Sequence, residues 1–161
     1  MILMFNQIEE HKNNNLTQGY EDDFGFDIRA GESGMIAPRC CSGLIHTGLH
    51  VCIPTMLGSH IKARGNQIKQ DVMSDGTIDA GYPGEIALKL YNFSNSTPYR
   101  WEKGDRIAQM VFYIRPKEFF NLKQPMWELF PDGFKIIESE SMDSWPKSAR
   151  GDRRFASSGV R

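Results

Sequence analysis

Asp75-Gly76-Thr77-Ile78-Asp79-Ala80-Gly81-Tyr82-Pro83-Gly84-Glu85-Ile86-Ala87-Leu88-Lys89-Leu90-Tyr91 is the stretch whose reading decides the fold class. Its second half alternates Ile86, Leu88 and Leu90 with Ala87, Lys89 and Tyr91, the period of a half-buried strand. Its first half carries turn chemistry: Asp75-Gly76 reads as a tight turn and Ala80-Gly81 as another. The same grammar extends outward. Leu44-Ile45-His46-Thr47 and Leu49-His50-Val51-Cys52-Ile53 read as one strand interrupted by a bulge at Gly48. Ile107 to Ile114 is an apolar run that reads as a fully buried strand. Gly and Pro punctuate the chain at roughly eight- to twelve-residue intervals, and no window shows helical periodicity. Many short strands at that spacing predict an all-β protein, a sandwich or a barrel.

The chain has 161 residues, the size of one domain. Nineteen Lys plus Arg against 20 Asp plus Glu leave a formal charge of -1, which removes the electrostatic case for a nucleic-acid binder. At 40% hydrophobic and 24% charged, the composition excludes wholesale disorder. No apolar run approaches the roughly 18 residues of a membrane helix. Met1-Ile2-Leu3-Met4-Phe5 is too short for a signal-peptide core and has no basic start, so the expectation is an intracellular protein without a membrane partner. Cys40, Cys41 and Cys52 form no C-x-x-C pair and read as thiols in a reducing compartment. His46 and His50 have the four-residue spacing of a zinc pair on a helix, but their segment reads as strand.

Two regions depart from the β pattern. From Lys117 to about Pro146 the chain is mixed, with Trp127, Leu129, Phe130 and Phe134 able to pack it onto the body. Residues 150–161 are small and basic, as in a mobile arm. The organisation expected is a β domain over 1–149, containing this 117–146 segment, followed by the arm.

Four places can carry chemistry. Asp79 lies between an apolar residue and a turn at the tip of a strand pair, where a carboxylate can act as general base on water. Tyr82 offers a flat face for a sugar or base. An ordinary hairpin, with Asp79 forming the turn and Tyr82 packing its edge, accounts for the same residues. Arg150, Arg153 and Arg154 with Ser157 and Ser158 supply what a polyphosphate needs, and Phe155 can stack on a base; a solvated basic tail has the same composition. Lys62-Ala63-Arg64-Gly65-Asn66-Gln67 offers cations and amide donors without fitting a P-loop. Lys103-Gly104-Asp105-Arg106-Ile107-Ala108-Gln109 is a turn leading into a strand, from which Gln109 can project a donor.

Taken in order, these segments resemble the trimeric dUTP pyrophosphatase (dUTPase) family, which carries five ordered motifs. Asp23-Phe24-Gly25-Phe26-Asp27-Ile28 is similar to A-G-Y-D-L, and Arg64-Gly65-Asn66 stands where R-S-G is usual. Gly76-Thr77-Ile78-Asp79-Ala80-Gly81-Tyr82-Pro83-Gly84 matches G-x-I-D-x-x-Y-x-G, and Gly104 to Gln109 matches G-x-R-I-A-Q. Arg150 to Gly159 resembles R-G-x-x-G-F-G-S-[ST]-G. The resemblance implies a distorted jelly-roll or β-barrel-like fold, assembled as a homotrimer whose arm closes the active site of a neighbour. It implies a dUTP diphosphatase that hydrolyses dUTP to dUMP and pyrophosphate with Mg²⁺, keeping uracil out of DNA and supplying dUMP. Asp79 would activate the water that attacks the α-phosphate. Tyr82 would pack on the deoxyribose and exclude a ribose, with Gly76 in the same substrate-contacting segment. Arg64 and Gln109 would hold phosphates or a neighbouring acid, with Gly65 and Asn66 beside them. Asp27 would organise the waters of the metal or pair with the arginine. Phe155 would stack on uracil, and Arg150, Ser157 and Ser158 would grip the γ-phosphate.

The sequence departs from the family in places. Gly65 replaces the serine of the second motif and Asn66 its glycine, while Arg154 and Ala156 replace the glycines flanking Phe155. The stretch from Gln109 to Arg150 is longer than the family pattern, which suggests an inserted surface element and a protein partner for it. Two other functions share the fold: a catalytically weakened nucleotide-sensing or protein-binding regulator, and dCTP deaminase. The deaminase needs a glutamate on the strand after the hairpin, where this chain has Lys89.

Overall fold

The computed structural model describes residues 1–117, Glu128 and residues 133–146. The fold is all-β, built from β1 (Ile2–Asn6), β2 (Phe26–Arg29), β3 (Gly34–Ile36), β4 (Leu49–Cys52), β5 (Leu57–Lys62), β6 (Val72–Ile78), β7 (Leu90–Asn92), β8 (Tyr99–Trp101), β9 (Arg106–Ile114) and β10 (Ile136–Glu138). A five-stranded sheet has the order β2-β9-β5-β6-β7, a three-stranded sheet β10-β1-β4, and a third sheet pairs β3 with β8. A single helical turn, α1 (Gly65–Ile68), and a 3-10 turn at Glu9–His11 interrupt them. Among the described residues no helix is long and apolar enough to cross a membrane.

The alternating pattern of the opening stretch is kept: Ile86, Leu88 and Leu90 are buried and Lys89 is exposed. They join a core with Ile2, Ile28, Leu49, Ile107 and Met110. Removing such side chains from water is the main stabilising term, about 1.5–3 kcal/mol for each. The ladder here is shorter than the pattern. Regular pairing covers only β7, and before it Leu88 meets Ile45 in a single bridge. The predicted break at Gly48 is present: its φ of +68° suits glycine, and β4 begins immediately after it.

Two local expectations are corrected. Asp75-Gly76 makes no turn. Both residues lie inside β6, opposite Lys62 and Ile61 of β5, and Asp75 forms an ion pair with Lys62. Pairing with a neighbouring strand has overridden local turn preference. β9 is fully buried only toward its start, at Ile107, Ala108 and Met110, while Val111 to Ile114 are half-buried. Within the 117–146 segment, β10 runs parallel to β1 and extends its sheet as an edge strand. Phe134 does pack this segment onto the body, 5.7 Å from Phe26 and 5.6 Å from Phe112 between ring centroids. Trp127, Leu129 and Phe130 lie outside the described residues.

Candidate active site

Asp79 follows directly on β6 and opens a turn in which the Tyr82 N–H donates to the Asp79 carbonyl oxygen at 3.1 Å. Gly81, third of the four residues, has φ +78°, the value a type II turn requires there. One turn therefore presents an exposed carboxylate and an aromatic ring three residues apart. The Tyr82 ring is set into the fold at 8% exposure, and its hydroxyl donates to the Glu85 carbonyl oxygen at 3.3 Å.

A second group forms where β2, β9 and β5 lie side by side. The register places Asp27 opposite Gln109, and Gln109 opposite Lys62. Asp27, 6% exposed, accepts from Arg64 Nε at 2.5 Å and from Arg106 Nη1 at 3.1 Å. A buried carboxylate between two guanidiniums is compensated, and the pairing fixes both arginines. Of the two roles expected for Asp27, pairing with Arg64 is the one the geometry displays. Gln109 Nε2 donates to the Ala63 carbonyl oxygen at 3.0 Å, tying β9 to the loop that carries Arg64. A Cβ on Gly25 would collide with the Gln109 amide, so a side chain there would displace it.

Arg64 precedes α1, in which Gly65 and Asn66 are exposed. Gln67, considered from sequence as a free amide donor, is withdrawn into the protein at 1% exposure. Its Oε1 accepts the Arg64 N–H at 2.9 Å and its Nε2 donates to the Ile107 carbonyl oxygen at 2.6 Å. Gln67 thus holds the Arg64 backbone against β9. Lys62 is likewise engaged, with Asp75. Sequence reading missed Gln67 as a support and Arg106 as a partner of Asp27; the signal for Arg106 was its place inside G-x-R-I-A-Q.

The two groups do not meet within one chain. Ile78 lies opposite Ser59 of β5, whereas Gln109 lies opposite Lys62. Asp79, one residue further, is level with Gly58, four residues along β5 from Lys62 and two strands away from Gln109. At about 3.3 Å per residue and 4.8 Å per strand this is a separation of roughly 15 Å. Gly76 lies between them, within β6. Arg150, Phe155, Ser157 and Ser158 lie outside the described residues.

A family model described as dUTPase matches residues 11–126. A deoxyuridine 5'-triphosphate nucleotidohydrolase of Tropheryma whipplei (strain Twist) is 32% identical over 146 residues, covering 88% of this chain and 86% of the relative. One from a Picosynechococcus species is 45% identical over 96 residues, covering 57% of this chain and 66% of the relative. Among solved structures, a mutant dUTPase from phage phi11 of S. aureus superposes with a TM-score of 0.64 at 20% identity, over 78% of this chain and 96% of its own. The EIAV dUTPase gives a TM-score of 0.62 at 22% identity, over 78% and 95%. Structural likeness at such identity speaks to the fold alone. Together with the match of the family model over most of the sequence, it is consistent with one conclusion: this chain belongs to the dUTPase family.

Proposed function

We propose that the chain hydrolyses dUTP to dUMP and pyrophosphate, as a homotrimer whose active sites lie between subunits. The observation that carries this reading is the 79–82 turn, which joins an exposed carboxylate to an inset tyrosine within G-x-I-D-x-x-Y-x-G. Asp79 takes the proton of a water whose oxygen attacks the α-phosphorus. The bridging bond to the β-phosphate breaks, and its electrons leave with pyrophosphate. The Tyr82 ring packs on the deoxyribose, leaving no room for a 2′-hydroxyl. Backbone groups of the hairpin offer an acceptor to uracil N3–H and donors to its carbonyls, a pattern cytosine mismatches.

Arg64 and Gln109 serve the phosphates, and Asp27 with Arg106 keeps Arg64 oriented. Attack on a highly charged phosphorus depends on such neutralisation and alignment more than on covalent chemistry. The register sets Asp79 and the Arg64–Gln109 group about 15 Å apart along one chain's backbone, and the homotrimer reading assigns the Arg64 and Asp79 of one site to different subunits. Residues 150–161 would cover the site, with Phe155 on uracil and Arg150, Ser157 and Ser158 on the γ-phosphate.

Mg²⁺ fits this site as an ion carried by the substrate. Among the described residues no three His, Cys, Asp or Glu side chains cluster as a metal cage, and both oxygens of Asp27 face guanidiniums. Mg²⁺ commonly keeps its waters and binds substrate phosphates, so Asp27 would act on those waters at most. When bound, the ion supplies charge neutralisation to the triphosphate. The phage phi11 dUTPase coordinates a structural Mg(II) ion.

The test is pyrophosphate release from dUTP with Mg²⁺, beside dCTP, dTTP and UTP, and beside Asp79→Asn. Selective dUTP turnover lost in Asp79→Asn is the expected result. Binding without turnover would transfer the assignment to a nucleotide-sensing regulator. Ammonia release from dCTP would make it a deaminase, although the position needing a carboxylate holds Lys89, whose ammonium lies 5.9 Å from the Tyr91 ring centroid.

A further inference from the structure

We propose that Glu85 and His50 are positioning residues that set the 79–84 hairpin, and with it Asp79 and Tyr82, against β4 and the kink before it. The proposal rests on the hydrolase reading above and deepens it.

The starting point is a gap in backbone pairing. Ile45 and Leu88 exchange both backbone hydrogen bonds, at 2.8 and 2.9 Å, and further on the Ile86 N–H reaches the Leu49 carbonyl oxygen at 2.7 Å. Between these points Gly48 kinks the segment at φ +68°. The N–H groups of Thr47 and Gly48, both buried residues, instead find Glu85 Oε1, at 2.9 and 2.7 Å. Two buried donors left unsatisfied would destabilise the fold, so the carboxylate is a required part of the kink. Glu85 Oε2 takes the His46 ring at 2.8 Å. The Thr47 hydroxyl completes the joint, donating to the Ile86 carbonyl oxygen at 2.7 Å and accepting the Leu49 N–H at 3.1 Å.

Glu85 is the first residue after the hairpin, and its own carbonyl oxygen receives the Tyr82 hydroxyl. One residue thus anchors the return arm of the hairpin through its side chain and the tyrosine through its backbone. His50 supplies the second anchor. Its Nδ1–H donates to the Pro83 carbonyl oxygen at 3.1 Å, its ring lies 6.1 Å from that of Phe5, and it is 7% exposed. The outgoing arm is held separately, by the pairing of Ile78 with Ser59. The turn bearing Asp79 and Tyr82 is therefore fixed on both sides by residues that need not touch the substrate. A misplacement of about 1 Å at a reacting centre can lower rate by roughly a hundredfold, so such anchors bear directly on turnover. Burial pushes the Glu85 carboxyl pKa up, but the His46 contact and the Gly48 and Thr47 N–H groups outweigh it and hold the group below its ordinary value, ionised at neutral pH.

His50→Phe tests the idea, because it keeps a ring beside Phe5 and removes only the donor. The expected result is a fall in kcat of roughly tenfold or more, narrower discrimination of dUTP from UTP and dCTP, and faster amide exchange over residues 79–84 with β9 unchanged. Glu85→Gln, which keeps an acceptor for both N–H groups, should stay near the parent protein in discrimination and exchange, whereas Glu85→Ala should lose both. If His50→Phe and Glu85→Ala lower only thermal stability, leaving discrimination and hairpin exchange unchanged, the residues are merely structural and the proposal is overturned. Exchange needs no turnover. A parent protein inactive on dUTP would refute the hydrolase reading, while the exchange comparison would still decide whether these residues hold the hairpin.

Discussion

Gly65→Ser restores the hydroxyl that the dUTPase motif carries after its arginine, and the structure allows its effect to be worked out in advance. Gly65 is the first residue of α1 and is exposed. A Cβ built there meets no heavy atom within 4 Å, and the backbone is outside the left-handed region, so serine enters without strain. In a helix serine is better than glycine by about 0.5 kcal/mol, a stability gain of a degree or two in Tm for a domain of this size. The catalytic effect should be larger. A single positioned donor acting on transition-state charge is worth about 3–4 kcal/mol where water is excluded. At an exposed position the expected gain is nearer tenfold to a hundredfold in kcat, on the order of 1.4–2.7 kcal/mol. The assay is steady-state pyrophosphate release for the parent, Gly65→Ser and Gly65→Ala. The alanine variant isolates the helix contribution and should leave kcat at the parent level. A higher kcat in Gly65→Ser alone would show that the parent lacks a working donor. A lower KM at constant kcat would mean that the hydroxyl binds ground and transition states equally. Identical kinetics in all three would refute the reasoning, and with it the alignment of Arg64-Gly65-Asn66 on the second motif.

Gly48→Ala should destabilise the fold by about 1–3 kcal/mol, since alanine resists a positive φ and its Cβ would lie 2.7 Å from Ile8 Cγ1; the urea midpoint measures this. Glu85 has a folded-state pKa below the ordinary 4.5, so its stabilising effect is complete above that value and is lost as pH falls through the lowered pKa. Acid denaturation of Glu85→Gln should therefore be less steep below pH 4.5 than that of the parent. A chain ending before Arg150 should lose turnover while sedimenting as the parent does. Asp79→Asn and Arg64→Ala subunits, each inactive alone, should regain activity when refolded together, at about a quarter of the sites by random assortment. No recovery would place both groups of one site on one chain.

What could be read in the sequence was what depends on neighbours in the chain. The Asp79–Tyr82 turn is local, because Gly81 supplies the one positive φ it needs. The alternation of Ile86, Leu88 and Leu90 follows from the pleat of an extended chain. Asp75-Gly76 failed by the same logic: its turn preference is local, but Lys62 and Ile61 across the ladder decide the outcome. Glu85 and Gln67 were illegible for a different reason. Each satisfies backbone groups that become unpaired only once the fold exists, at the Gly48 kink and where Arg64 and Ile107 approach. A buried polar side chain in such a place looks from sequence like any exposed one.

The motifs alone also conceal how far apart their residues lie along the sheet. Read as a string, Arg64, Asp79 and Gln109 look like members of one cluster. Pairing along β5 separates them, because β6 and β9 both run antiparallel to β5 and the Asp79 turn leaves at the end away from Lys62. A rigid sheet cannot fold back to close that distance, since each paired residue fixes the next. Asp27 and Arg106 reinforce the separation by holding Arg64 in its own half. Under the hydrolase reading each protomer would carry two half-sites, one to activate water and hold a nucleoside, the other to neutralise phosphate. If the two halves of one site come from neighbouring copies, association is a condition of the chemistry, and a folded monomer would bind dUTP without turning it over.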